Sequence, residues 1–259
     1  MKGISVVIIT LNEEKNIGRC IDSVSKIADE VILLDSFSTD RTVAIAQEKG
    51  AQVVQQVFNG YIRQKNKALQ LAKYDYILSL DADEALSEAL SVSIASAKKN
   101  NFTAAGYTMK RSNFFCGRFI RHGLWYPDRK LRLFEKQSAR WGGYDPHDKV
   151  LLSDPGAVQQ LKGDLLHYAY YTLEDYMQKN EKISSIAARS MYEAGIRKHW
   201  SKIILSPAWE FVNGYVLRLG FLDGYFGFVI AIHSANQSFL KHLQLQKLQK
   251  KPFAKIAWE

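Results

Sequence analysis

The stretch "LSLDADEALS" at residues 79–88 begins as an apolar run suited to a buried strand and ends on Asp81, Asp83 and Glu84. Side chains two apart on a strand share a face, so Asp81 and Asp83, with Ala82 between them, aim two carboxylates at one edge of a sheet. Hard oxygen ligands of this kind suit Mg2+ or Mn2+, which take one or two protein carboxylates and complete their shell with water and substrate phosphates. Glu84, directly behind, reads as a solvated or helix-start carboxylate. Asp-x-Asp also occurs in many surface turns, so its meaning depends on what the rest of the chain brings to the same edge.

The first hundred residues supply a frame for such an edge. "ISVVIIT" (4–10), "EVILLD" (30–35), "AQVVQQ" (51–56) and "YDYILSLD" (74–81) read as strands, and helical patterns fall between them at 13–27, around 40–50 and at 61–73. Asn12 is placed to cap the first helix. Ser38, Thr39 or Asp40 introduces the second, and Gly50 stops it. Strand, helix and strand with short links give an α/β fold, a mostly parallel, doubly wound sheet flanked by helices. Ligands of such sheets bind at the carboxyl ends of the strands. The residues there are Thr10, Leu11, Asn12 and Glu13, then Asp35 and Ser36, then Asp81 and Asp83. Carboxylates gathered there without counter-ions would repel one another and raise each other's pKa values; a bound cation, or sugar and base hydroxyls, would remove that cost.

The charge is uneven. Lys and Arg number 12 against 13 Asp and Glu in residues 1–100, 10 against 4 in 101–150, and 13 against 9 thereafter, within a net +9. Basic character in the middle and C-terminal parts favours anionic partners. Residues 113–150 are aromatic, basic and irregular, although "KLRLFE" (130–135) alternates like a half-exposed strand. Beyond Tyr170 the pattern turns helical, beginning with "TLEDYMQKNEKISSIAARSMYEAG" (172–195). The expected division is 1–165 and a helical extension, 166–259. In that extension Glu210, Arg218, Asp223 and His233 break up the run of about 20 apolar residues that a bilayer span needs. Its Trp, Tyr and Phe content, flanked by Lys and Arg, suits a helix pair in the headgroup layer of an acidic membrane; packing on the first unit or in a homo-oligomer is the competing reading. The N-terminus lacks a secretory pattern, so the expected location is the cytoplasm, peripheral on the inner membrane. Cys20 and Cys116 have no metal-ligand spacing and read as reduced thiols.

"SVVIITLNEEKNIGRCIDSV", "VILLDSFSTDRT", "GYIRQKNKAL" and "YILSLDADEALS" together resemble the nucleotide-sugar-binding half of glycosyltransferase family 2, inverting enzymes of the GT-A fold. "GLWYPDRKLRLFEKQSARWGGYDPHDKV", "LHYAYYTLEDYMQKNEKISSIAA" and "FLDGYFGF" resemble more narrowly the bacterial branch with the lipopolysaccharide core β-1,4-glucosyltransferases. The resemblance implies a UDP-hexose donor, a lipopolysaccharide-core or other lipid-linked glycan acceptor, and Mn2+ or Mg2+ as cofactor. Thr10, Leu11, Asn12 and Glu13 would hold uracil and ribose, with Asp35 and Ser36 beside them. Gly60, Arg63, Gln64, Asn66 and Lys67 would face the nucleotide, Arg63 or Lys67 being available to a phosphate. Asp81 would face the ribose or the metal's water shell, with Ala82 lining the turn. Asp83 would bind the metal, and His147 the metal or the diphosphate. Arg129, Lys130 and Arg132 would steady the phosphates or an anionic acceptor, and Trp125 and Tyr126 would stack on a sugar. The family's base is an acidic residue, often in a Glu-Asp pair; here "YDPHDKV" offers Asp148, with Asp145 as competitor. His167 serves equally as a buried structural histidine or a site residue. A nucleotidyltransferase would carry a Gly-rich basic loop where this chain has "TLNEEKN", and an RNA-binding module would show a recognisable strand or helix signature; no nucleic-acid partner is expected.

Overall fold

Strand β1 (Ile4–Thr10) is buried along nearly its whole length, because it lies at the centre of a sheet covered on both faces. The computed structural model describes residues 2–144, 147–154 and 158–250, without the side chains of 144, 147 and 178–183. After β1 come α1 (Ile17–Val24), β2 (Glu30–Asp35), α2 (Thr42–Glu48), β3 (Gln52–Gln55), α3 (Tyr61–Leu71) and β4 (Tyr76–Asp81). Then follow β5 (Glu84–Leu86), α4 (Glu88–Lys99), β6 (Gly106–Phe115), the short β7 (Arg118–Phe119), β8 (Asp128–Glu135), β9 (Ala139–Tyr144), β10 (His147–Leu152) and β11 (Val158–Tyr170). The helices α5 (Leu173–Glu193), α6 (Lys202–Phe211) and α7 (Gly224–Lys250) complete the chain.

Two compact units result. One holds the residues up to Phe114 with Pro127–Ala169; the other holds Phe115–Tyr126 with the residues from Tyr170 onward. The C-terminal unit therefore takes in a segment that the sequence pattern leaves in the first.

In the first unit the strand path is β3-β2-β1-β4-β8-β6-β11-β5. The four N-terminal strands are parallel, as the βαβ spacing predicts, and β8 then joins β4 antiparallel. The strand period of two sorts β1 into two cores. Ile4, Val6 and Ile8 pack with Ile17, Cys20, Ile21 and Val24 of α1 and with Leu90 and Ile94 of α4. Val7 packs on the other face with Ala68 and Leu69 of α3. Residues that look irregular between 101 and 160 extend the sheet through β6, β8 and β11 and form the hairpin of β9 and β10.

One expected cap moves. Asn12 has a positive φ of 54°, and its side chain accepts from the Thr39 amide at 2.8 Å. A turn closed by Glu13 O, which accepts from Asn16 N and Ile17 N at 2.9 Å, delays α1 until Ile17. Asp40 does serve at its helix start, its Oδ1 accepting from Thr42 N at 3.0 Å.

In the C-terminal unit Phe115, Trp125, Tyr170 and Tyr176 form an aromatic core of edge-on contacts, with Ile120 and Ile230 packed in. Asp223, which seemed from sequence to interrupt an apolar run, is buried and accepts from the amides of Arg121 and His122 at 3.1 and 2.8 Å.

Asp29 pins the start of β1. Partial burial pushes its carboxyl pKa up, but Lys98 Nζ at 2.6 Å and the Ile4 amide at 2.7 Å outweigh that and hold it below the ordinary value. A carboxyl whose folded pKa is depressed stabilises the fold above its unfolded pKa and loses that contribution as pH falls. Asp29→Asn is expected to cost about 1 kcal/mol at neutral pH, with the difference from wild type fading below about pH 4 in urea unfolding.

Candidate active site

The carboxyl ends of β1, β2 and β4 lie side by side, with Ile9 paired to Asp81 and Thr10 to Asp35. At the β1 and β2 ends the predicted nucleoside residues form one hydrogen-bonded rim. Asp35 is fully buried, and its Oδ2 accepts from the Ser38 amide and from Gln55 Nε2, both at 3.0 Å. The Ser38 hydroxyl also donates to Asp35 and accepts from the Asn12 amide at 2.8 Å. Glu13 is tied to Thr42 Oγ1 through its amide at 2.8 Å, and its carboxylate accepts from Asn16 Nδ2 at 2.7 Å. Gln64 of α3 is buried and donates to Ser36 Oγ at 3.1 Å. The Thr10 hydroxyl is buried with no hydrogen-bond partner among the described residues, and Leu11 beside it is exposed. A buried orphan hydroxyl at a strand end is a group that a ligand can satisfy.

The β4 end is organised by ion pairs. Arg132 of β8, only 4% exposed, donates to Asp81 Oδ2 and Glu84 Oε1, each at 2.7 Å. Lys65 of α3, equally buried, places its Nζ 3.0 Å from Asp81 Oδ1 and 2.7 Å from Asp148 Oδ2. Arg111 adds contacts to Glu84 at 3.5 Å and Asp128 at 2.8 Å. The Trp141 ring lies 4.3 Å from the Lys65 ammonium and 5.4 Å from the Arg132 guanidinium. Burial, the largest single influence on Asp81, pushes its pKa up, but Arg132, Lys65 and Arg111 together hold it far below the carboxylate range. The same carboxylates raise the Arg132 pKa against its own burial.

These contacts correct three expectations. The crowded carboxylates do have counter-ions, which the chain itself supplies. Arg132, expected at the phosphates or an anionic acceptor, is buried and donates to Asp81 and Glu84 inside the fold. Glu84, the only one of these acids with no side-chain exposure, is a structural anchor on β5 instead of a solvated residue.

Asp83 lies in the turn between β4 and β5. Its Oδ2 lies 3.3 Å from His167 Nε2 of β11, while His167 Nδ1 lies 2.6 Å from Asn113 Oδ1. A carboxylate oxygen and an imidazole nitrogen in apposition are donor types that a divalent cation such as Mn2+ accepts. Among the described residues no group of three metal-ligating side chains forms. The backbone of His147 lies in β10; its side chain, and the whole of Asp145, lie outside the described residues.

Other predicted residues disperse. Arg129 is exposed on β8, beyond a register shift that breaks the strand's alternation near Arg132, and it donates to Gln160 at 3.2 Å. Arg63 is exposed and donates to Asn59 at 3.2 Å, and Lys67 is half-buried on the same helix. Asn66 is spent on the Trp141 backbone, with both bonds at 3.0 Å, beside a cleft of about 600 Å3 along α3 and β9. Ala82 is buried in the turn. Trp125 belongs to the aromatic core of the C-terminal unit, 5.5 Å from both Phe115 and Tyr176.

Lys65 had a signal in the sequence. It shares a helical face with Ala68 and Leu69, and a lysine on the apolar face of an amphipathic helix needs a buried anion.

The model of glycosyl transferase family 2 matches residues 5–151. An uncharacterized glycosyltransferase of Rickettsia typhi is 33% identical over 97% of this chain and 89% of its own length. The lipopolysaccharide core biosynthesis glycosyltransferase LpsC of Rhizobium meliloti is 29% identical over 92% of this chain and 89% of its own. Among solved structures, glucosyl-3-phosphoglycerate synthase of Mycobacterium tuberculosis in complex with phosphoglyceric acid superposes with a TM-score of 0.50 at 21% identity, covering 76% of this chain and 81% of that one, a likeness of fold. The strand-end rim, the Asp-x-Asp turn and these matches agree: the chain is a glycosyltransferase of family 2, with the GT-A fold.

Proposed function

We propose that this glycosyltransferase moves a hexose, glucose first among the candidates, from a UDP-sugar to a lipopolysaccharide-core or other lipid-linked glycan, with inversion at the anomeric carbon. The observation that carries the reading is the division of labour at the β4 end: Asp83 with His167 at 3.3 Å, and Asp148 held by Lys65 at 2.7 Å. LpsC, similar over nearly the whole chain, supports the acceptor class.

Thr10, Asn12, Asp35 and Ser36 line the rim that takes the nucleoside, and Thr10 gains the hydrogen bond it lacks. Asp83 and His167 would hold Mn2+ or Mg2+, which supplies charge neutralisation to the diphosphate. Asp148 takes the proton of the acceptor hydroxyl as that oxygen bonds to the anomeric carbon and the bond to UDP breaks on the opposite face. Lys65 restrains Asp148 Oδ2, and Oδ1 has no partner among the described residues, which leaves it for the acceptor.

A thermal-shift panel of UDP-glucose, UDP-galactose, UDP-N-acetylglucosamine and GDP-mannose, with and without Mn2+, tests donor and metal together. The cognate UDP-sugar at 100 times its Kd adds about 2.7 kcal/mol of stability. Asp83→Ala and His167→Ala lose the Mn2+-dependent part and His147→Ala keeps it; a wild-type response in both of the first two removes the metal assignment. Asp148→Asn should bind donor like wild type while turnover falls by about 10²–10⁴-fold. Undiminished turnover excludes Asp148 as the base.

A further inference from the structure

The C-terminal unit carries an apolar surface that sugar transfer does not use. From α6 through a π-helical turn at Val212–Leu217 and a 3-10 turn at Gly220–Asp223 to the start of α7, large apolar side chains face outward. Trp209 is 58% exposed, Leu217 59% and Tyr225 68%, and Val216, Phe221 and Leu222 lie between them. Single exposed hydrophobes are ordinary, but a connected set is not. Connection is direct here: Tyr215 lies 5.4 Å from Phe211, 6.3 Å from Phe221 and 5.6 Å from Phe228.

Beneath this display the bend is tightly packed. A Cβ on Gly220 would lie 2.5 Å from Gly214 O, and one on Gly227 only 1.9 Å from Gly220 O. The outward apolar face therefore belongs to a fixed wedge and does not come from loose packing. Its charges are sorted as well. Between residues 194 and 250 the only acids are Asp223, turned inward onto the Arg121 and His122 amides, and the half-buried Glu210. Seven Lys and Arg accompany them, with Arg197, Lys198, Lys202 and Arg218 exposed.

An apolar centre with a basic rim complements a bilayer bearing acidic headgroups. A two-fold contact with a second copy would instead set these basic rims against each other. Among the described residues no single helix is long and apolar enough to cross a membrane, and the pair Lys202–Leu217 and Gly220–Lys250 is bent by 70°. We infer that the wedge from Trp209 to Tyr225 enters one leaflet of an anionic bilayer and leaves by the same side, with the surrounding lysines and arginines on the headgroups. This inference is independent of the donor and metal assignments.

Flotation of the full chain with vesicles of phosphatidylethanolamine and phosphatidylglycerol, against phosphatidylcholine alone, tests it. The protein should float with the anionic vesicles and far less with the neutral ones. Leu217→Asp with Phe221→Asp should weaken partitioning by about tenfold or more without changing the circular dichroism spectrum. Arg218→Glu should weaken only the component that salt removes. On the wild-type chain, brominated lipid should quench a fluorescence component that Trp209→Phe abolishes. Failure of the wild-type chain to float, equal flotation of the double variant, or a dimer in sedimentation that the double variant dissociates without lipid binding would each overturn the proposal.

Discussion

The site depends on Lys65, a buried ammonium that bridges Asp81 at 3.0 Å and Asp148 at 2.7 Å. Removing charges from water is costly, and their attraction repays the cost only when geometry is good and every lone pair is served. Here the ring of Trp141 covers both Lys65 and Arg132, and Arg132 closes the chain of ion pairs onto Glu84. Four sequence-distant elements, α3, β4, β8 and β10, are thereby locked at one point. Deleting one member of such a set leaves a buried charge uncompensated, at a cost of about 3–5 kcal/mol, whereas loss of an exposed pair such as Arg189 with Glu193 costs little.

Because the chain neutralises Asp81, Glu84 and Asp148 with its own cations, the carboxylates at the β4 end are not equivalent. The ion pairs hold Asp81 in place, and its depressed pKa, caused by Arg132 and Lys65 against burial, keeps it an anion that anchors the network. Asp83 has a different neighbour, the His167 imidazole, whose orientation is fixed by Asn113. Asp81 at the end of β4 and Asp83 in the turn beyond it thus differ in their partners, the first held by Arg132 and Lys65 and the second 3.3 Å from His167 Nε2.

Much of the parallel half was legible in the sequence because β1, β2 and β4 are fully buried strands bounded by amphipathic helices, and that pattern has few other solutions. Asn12, Asp35 and Asp81 come to one edge for the same reason. The antiparallel half was harder to read. Strand β6 turns Arg111 and Asn113, two apart and so on one face, into an ion network and a histidine contact, so the usual apolar alternation is broken by the site itself. His167 was undecidable without the β11 register, which pairs it with Glu84 beside the Asp-x-Asp turn. The resemblance assigns Arg132 to phosphates or an anionic acceptor, and the pairing of β8 with β4 is what brings its guanidinium under cover beside Asp81 and Glu84.

The central claim, that Asp83 and His167 face the donor while Asp81 and Asp148 are held by Lys65 and Arg132, is open to one direct test. Crystals grown with Mn2+ and UDP, measured at the manganese absorption edge, should show an anomalous peak bonded to Asp83 and His167, with the Lys65 and Arg132 ion pairs intact. A peak on Asp81 or His147 with His167 turned away would contradict it.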